Sequence, residues 1–227
     1  MTRRLRLAAC TAALALALPR LAPAQAAPPA PPAGAVPATL QYKGFTVIDS
    51  AVQSRDNLPE IRAAMQAQLD MVLAVGLPEQ TIAFFRTVQI MVRPVGAFAT
   101  ATSGRYTREA RRVELVDNFV RNRKKPIVLH EFMHAFHAEL LPGGRQNAEL
   151  LAFFEQAKTR DVYNQKSHMM SNIGEFFACT TTAYLYGTTA QEPFSRAKLQ
   201  QTQPELFTML QGVFGAAAGT YLGVLQE

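Results

Sequence analysis

His130-Glu131-Phe132-Met133-His134 reads H-E-x-x-H and lies in an apolar run from Ile127 to Leu141. On a helix, positions i and i+4 share a face one turn apart, so both imidazoles can bind one metal ion from the same side. Glu131 is placed to reach a water on that ion. Two ligands, a general base and an open coordination position are what a zinc hydrolase requires. Ile127, Val128, Leu129, Phe132, Met133, Ala135, Phe136 and Leu140 cover the remaining faces, the pattern of a buried helix. Burying two histidines and a glutamate costs several kcal/mol (roughly) unless they are paired or metal-bound. The plain alternative is a core helix whose histidines are satisfied by hydrogen bonds.

Catalytic zinc takes three protein ligands and a water. The third is sought among His137, Glu139, Glu149, Glu155, His168 and Glu175. His137 shares the rigid helix three residues on, where a third inward ligand strains the geometry, and Glu139 points to another face. Glu155 is the main competitor, read as an exposed charge at a helix edge. Glu175 falls in the first turn of an apolar helix, where a carboxylate needs a buried partner that a metal can supply.

The elements that must position these groups can be read along the chain. Gly44–Ile48 has strand character. Asn57 is expected to cap a helix from Leu58 with apolar spacing through Leu73, ended by Gly76. A second helix runs from Leu77-Pro78-Glu79 through Phe85. Val88–Val92 reads as a buried strand. Residues 96–107 read as a loop or ragged strand, and Arg112–Val116 alternates like a half-exposed edge strand. Pro142-Gly143-Gly144 stops the metal helix. Asn147 caps a helix to about Arg160, and residues 161–171 read as a polar loop holding Tyr163 and His168. Asn172 caps a helix to Tyr186, and two short helices follow, near 195–201 and 204–214. The fold class expected is α+β, mostly helical, with a small sheet near the H-E-x-x-H helix.

Composition bounds the setting. Arg3, Arg4 and Arg6, the apolar stretch Leu7–Leu18 and small-x-small sites at residues 22–26 predict a signal peptide over 1–26, hence a secreted or periplasmic protein. The apolar stretch is too short for a membrane span. Leu7-Ala8-Ala9-Cys10 resembles a lipobox and ranks second. Residues 27–39 are Pro/Ala-rich and predict a linker; residues 40–227 form the catalytic domain. The formal charge of +6 owes four charges to Arg3, Arg4, Arg6 and Arg20, with no acid in residues 1–26, so the mature chain is near +2. The high pI therefore gives no reason to expect a nucleic-acid partner. Basic clusters at Arg105–Arg112 and Arg121–Lys125 read as solvated faces. Of two cysteines only Cys179 remains after cleavage, which excludes an intramolecular disulfide; it reads as a small buried residue.

His130-Glu131-x-x-His134 followed by Asn172-Ile173-Gly174-Glu175-Phe176-Phe177-Ala178 resembles the anthrax lethal factor-like zinc peptidases of the gluzincin group, relatives of the Pro-Pro endopeptidases. The resemblance spans roughly Val88 to Phe214 and includes Ala135-Phe136-His137, Tyr163, Pro193-Phe194 and Pro204-Glu205. It implies a gluzincin-type catalytic domain, with His130, His134 and Glu175 as Zn²⁺ ligands, Glu131 as base, and a peptide or protein as substrate. In zinc peptidases of this kind an edge strand often holds the substrate by β-addition; here Arg112–Val116 is the expected strand. Two positions depart from the family pattern. His168 stands where the family has a tyrosine that stabilises the oxyanion, a task a histidine donor can also perform. Cys179 stands where the family has an acid able to orient a ligand histidine; Glu139, Thr180 or a backbone carbonyl are the expected stand-ins. These departures leave a second expectation open, an inactive relative that keeps zinc for structure or binds a protein partner.

Overall fold

The computed structural model describes residues 39–98 and 103–217, all within one compact unit, Val36–Glu227. The signal peptide and nearly all of the linker expected from the sequence lie outside the described residues.

Five strands form one mixed sheet: β1 (Thr39–Tyr42), β2 (Phe45–Ile48), β3 (Gln89–Arg93), β4 (Gly104–Thr107) and β5 (Arg112–Val116), in the order β1-β2-β3-β5-β4. The central pairs β2–β3 and β3–β5 are parallel, and the outer hairpins are antiparallel. Helices dominate: α1 (Leu58–Ala74), α2 (Glu79–Thr87), α3 (Ile127–Glu139), α4 (Ala148–Thr159), α5 (Ile173–Tyr186), α6 (Arg196–Thr202) and α7 (Pro204–Phe214). The mostly helical α+β class is therefore as expected. None of the described helices is long and apolar enough to cross a membrane.

The structure corrects the sheet edge. Arg112–Val116 is an inner strand between β3 and β4, and the ragged 104–107 segment is the edge strand. The misreading came from Glu114, a charge in an alternating pattern that is in fact buried. It is paid for by arginines: Arg93 and Arg105 contact its two oxygens at 2.7 and 2.6 Å, and Arg112 stands 4.0 Å away. Burial alone would raise the Glu114 carboxyl, but Arg93 and Arg105 outweigh it and hold it below its ordinary range. Arg105, Arg108 and Arg111 of the basic cluster at 105–112 are exposed as expected, with Arg105 also pairing with Glu114 and Arg111 with Glu139 at 2.7 Å.

Helix α3 packs on the sheet and on α2 through aromatic faces: Phe132 stacks on Phe45 of β2 at 5.9 Å and on Phe85 of α2 at 4.5 Å between ring centroids. On its other side α3 packs on α5, where Phe136 and Phe177 stack. Both helices are apolar nearly all round and buried accordingly. Asn147 and Asn172 cap α4 and α5 as expected, accepting from the Leu150 and Glu175 amides. Asn57 precedes α1 but its side chain makes no capping hydrogen bond.

The start of α3 is held from elsewhere in the chain. Pro126 offers no capping side chain. Instead the fully buried Gln68 of α1 accepts from the amides of Ile127 and Val128 at 2.9 and 3.1 Å. Its Nε2 donates to the carbonyls of Arg123 and Lys125 at 3.1 and 2.7 Å. The Val128 amide and the Arg123 carbonyl rely on this one side chain, while the Ile127 amide also donates to the Lys125 carbonyl at 2.9 Å. Gln68→Leu should lower the unfolding free energy by about 2–4 kcal/mol, two groups left unsatisfied at once, and speed amide exchange at Val128. Urea titration and hydrogen exchange measure both; unchanged exchange there would show that the cap is dispensable.

Candidate metal centre

Helix α3 brings His130 and His134 to one face as their spacing requires. Their Nε2 atoms are 3.2 Å apart, with the rings edge to face. Helix α5 supplies Glu175 from its first turn: Oε2 lies 3.2 Å from His130 Nε2, and Oε1 lies 3.4 Å from His134 Nε2. Ligand bonds near 2.05 Å at tetrahedral angles separate donor atoms by about 3.3 Å. The His130–His134 separation matches such an edge, and each imidazole stands at about that distance from one of the two Glu175 oxygens.

Two further observations fit a metal. Glu175 Oε2 is buried and has imidazole nitrogens at 2.9 and 3.2 Å, yet it makes no well-directed hydrogen bond to either. Burial alone would raise the Glu175 carboxyl, but His130, His134 and His168 overwhelm that and hold it far below the carboxylate range. Gly174, at the start of α5, gives room to the cap: an added Cβ there would stand 3.0 Å from the Asn172 Oδ1 and in ordinary contact, 3.7 Å, with His134 Nδ1.

His168 also reaches this cluster. It lies in a short 3₁₀ turn, His168–Ser171, inside the segment read as loop, and its Nε2 is 2.9 Å from Glu175 Oε2. The contact with Glu175 raises the His168 pKa. Donor atoms of His130, His168 and Glu175 lie within 4.8 Å of one another, so this group too can hold a metal ion. Two triads therefore share His130 and Glu175. The one with His134 draws its two imidazoles from a single buried helix, whereas His168 is about half exposed.

Glu131 is buried beside these groups, and its Oε2 has no hydrogen-bond partner. Burial pushes its carboxyl up to about 7, with His130 acting in the opposite sense. A carboxylate poised there can take and release a proton near neutrality. What holds it is the edge strand: a Cβ on Gly104 would stand 2.6 Å from Glu131 Oε1 and 2.7 Å from Leu115 Cδ2. Sequence reasoning missed Gly104 because nothing in a Gly/Ala/Thr/Ser-rich segment says which glycine approaches a side chain 27 positions away.

The other candidates fall away from the cluster. Glu155 is exposed and pairs with Lys158. Glu139 accepts from Tyr106 Oη and pairs with Arg111, and Thr180 donates to the carbonyl of Phe176 in its own helix. Neither stands in for an acid at position 179, which corrects that expectation. Cys179 is buried as expected, and burial pushes its thiol pKa up, so it stays a neutral thiol. His137 is buried against Phe177 and belongs to the core.

A cavity of about 1130 Å³ opens over the centre, lined by His130, Glu131, His134, His168, Glu175 and the edge-strand residues Gly104–Tyr106. Comparison with protein-family models, curated proteins and solved structures finds no match. The chemistry of the site rests on its own geometry.

Two predictions follow from these placements. Gly104→Ala should overpack the contact with Glu131 and Leu115, lowering the unfolding free energy by about 1–3 kcal/mol while leaving metal stoichiometry unchanged. Loss of the metal instead would place Gly104 in support of the ligands. For His137, burial lowers the pKa from 6.5 to about 4. Its neutral form is the one the fold keeps, so its contribution is fully present above pH 6.5 and is lost as pH falls towards 4. Metal-free protein should lose about 2–3 kcal/mol more stability between pH 7.5 and 4.5 than metal-free His137→Gln. Parallel urea titrations at the two pH values decide this; equal losses would mean His137 is charged in the fold.

Proposed function

We propose that this chain is an exported zinc metallopeptidase, similar to the lethal factor-like gluzincins, that hydrolyses peptide bonds. The observation that carries the reading is the convergence of His130, His134 and Glu175 at 3.2–3.4 Å beside the buried, unpartnered carboxylate of Glu131. Two imidazoles and one carboxylate are a donor set of catalytic zinc sites, with a coordination position left open to the cavity. Bound there, zinc supplies Lewis acidity, lowering the pKa of a water and polarising a carbonyl. Glu131 Oε2 accepts the water proton and returns it to the leaving amine. Gly104, by its close approach, keeps that carboxylate aimed at the site. The outer edge of β4 borders the cavity and offers backbone groups to an extended peptide, the role first expected of Arg112–Val116.

His168 supplies the oxyanion donor. Its Nε2 lies 2.9 Å from Glu175 Oε2, and the side chain lines the cavity that a substrate would enter, where its N–H would face the substrate oxygen. Export is supported by the n-region, apolar stretch and cleavage-site pattern of residues 1–26.

A second reading, a zinc-holding relative without turnover, is favoured by one observation: the acid that would orient a ligand histidine is replaced by the neutral Cys179 thiol. Zinc analysis and peptide-library cleavage by the purified mature chain separate the two. We expect one zinc per chain and cleavage. Glu131→Gln should retain zinc and lose turnover. His168→Ala should lower kcat by roughly 10²–10³-fold with zinc unchanged, as for a lost oxyanion donor. Zinc binding without cleavage would favour the second reading, and His168→Ala stripping the zinc would make His168 a ligand.

A further inference from the structure

The cavity over the centre carries an excess of positive charge that the proposed chemistry does not use. Among the described residues its lining carboxylates are Glu131 and Glu175, and a bound dication would balance both. Three cations line it: Arg105, Lys125 and Arg145. Lys125 and Arg145 are exposed and form no ion pair with a described residue. Arg105 is paired, but its partner is oversubscribed. Glu114 is shared by Arg93, Arg105 and Arg112, so three guanidiniums face one carboxylate and the group keeps an excess of two positive charges.

The cations flank the centre along the helix that builds it. Lys125 lies two residues before α3 and Arg145 in the 3₁₀ turn after it, with Arg105 on the edge strand alongside. A helix of 13 residues is about 20 Å long, so the two unpaired cations bracket His130 and His134 from opposite ends. A low-dielectric cleft focuses such a field onto whatever enters it.

We infer that this centre takes a peptide segment with acidic side chains on both sides of the residue presented to the metal, recognised by Lys125 at one end and Arg145 at the other. This rests on the peptidase reading and deepens it by naming the substrate class. Two isolated cations separated by a hydrolytic centre suit separated carboxylates on an extended chain.

The test uses full-length mature Glu131→Gln protein loaded with zinc, which binds without turnover. Three labelled alanine-based decapeptides are titrated: Glu near both ends, Gln at the same places, and Lys at the same places. The Glu peptide should bind at least about fivefold tighter than the Gln peptide, with the Lys peptide weakest. Lys125→Gln and Arg145→Gln should each cost the Glu peptide about two- to fivefold and leave the Gln peptide unchanged, as for exposed charge pairs. Salt at about 0.5 M should erase the difference. Equal affinity of the Glu and Gln peptides, no measurable binding of the Glu peptide, or equal effects of the variants on both peptides would overturn the inference. Failure of the peptidase reading would look different: wild-type protein would bind no zinc, or would cleave no peptide of a library, whether or not the charge preference held.

Discussion

Two carboxylates, Glu131 and Glu175, are held inside the packed interface of two apolar helices, and the rest of the structure answers to that constraint. Neither acid has enough protein donors around it. A buried, underpartnered carboxylate costs free energy unless it is neutralised or bound. The imidazoles of His130, His134 and His168 relieve Glu175. Glu131 is left with a pKa near neutrality. Strain of this electrostatic kind persists only where surrounding packing over-determines the positions, and it is where chemistry is found.

That packing has identifiable parts. Phe132, the residue after Glu131, stacks on Phe45 of β2 and Phe85 of α2, which ties α3 to the sheet and to α2. Gln68 fixes where α3 begins, hence the axial level of His130 and His134. Asn172 caps α5 through the Glu175 amide itself, so the cap and the ligand position are one device. Gly104 is an absence of side chain that lets the edge strand close on Glu131.

The arginines around Glu114 solve a related problem at the sheet. An acid buried on an inner strand requires compensation, and three guanidiniums overcompensate it. The overcompensation ties β4 and β5 together and sets the sign of the field over the cavity. Exposed ion pairs add little to stability, but Glu114 is buried, and its pairing decides the register of the hairpin that carries Gly104.

Much of this was legible in the sequence, because it depends on short-range geometry. The H-E-x-x-H spacing puts two imidazoles and a carboxylate on one helix whatever surrounds them, and apolar periodicity makes that helix buried. Asn172 three residues before Glu175 marks a helix start with an acid in its first turn. The helical α+β class follows from the same local periods. What tertiary structure alone decided is every pairing across sequence distance. Strand order is non-local, so the alternation of Arg112–Val116 could not reveal that Arg93 and Arg105 bury Glu114 and move the edge to Gly104–Thr107. The cap on α3 comes from Gln68, an ordinary polar residue in its own helix. His168 looks like a loop histidine in the sequence, because its reach to Glu175 depends on how the short 3₁₀ turn His168–Ser171 docks against the start of α5, which hydropathy periodicity does not encode.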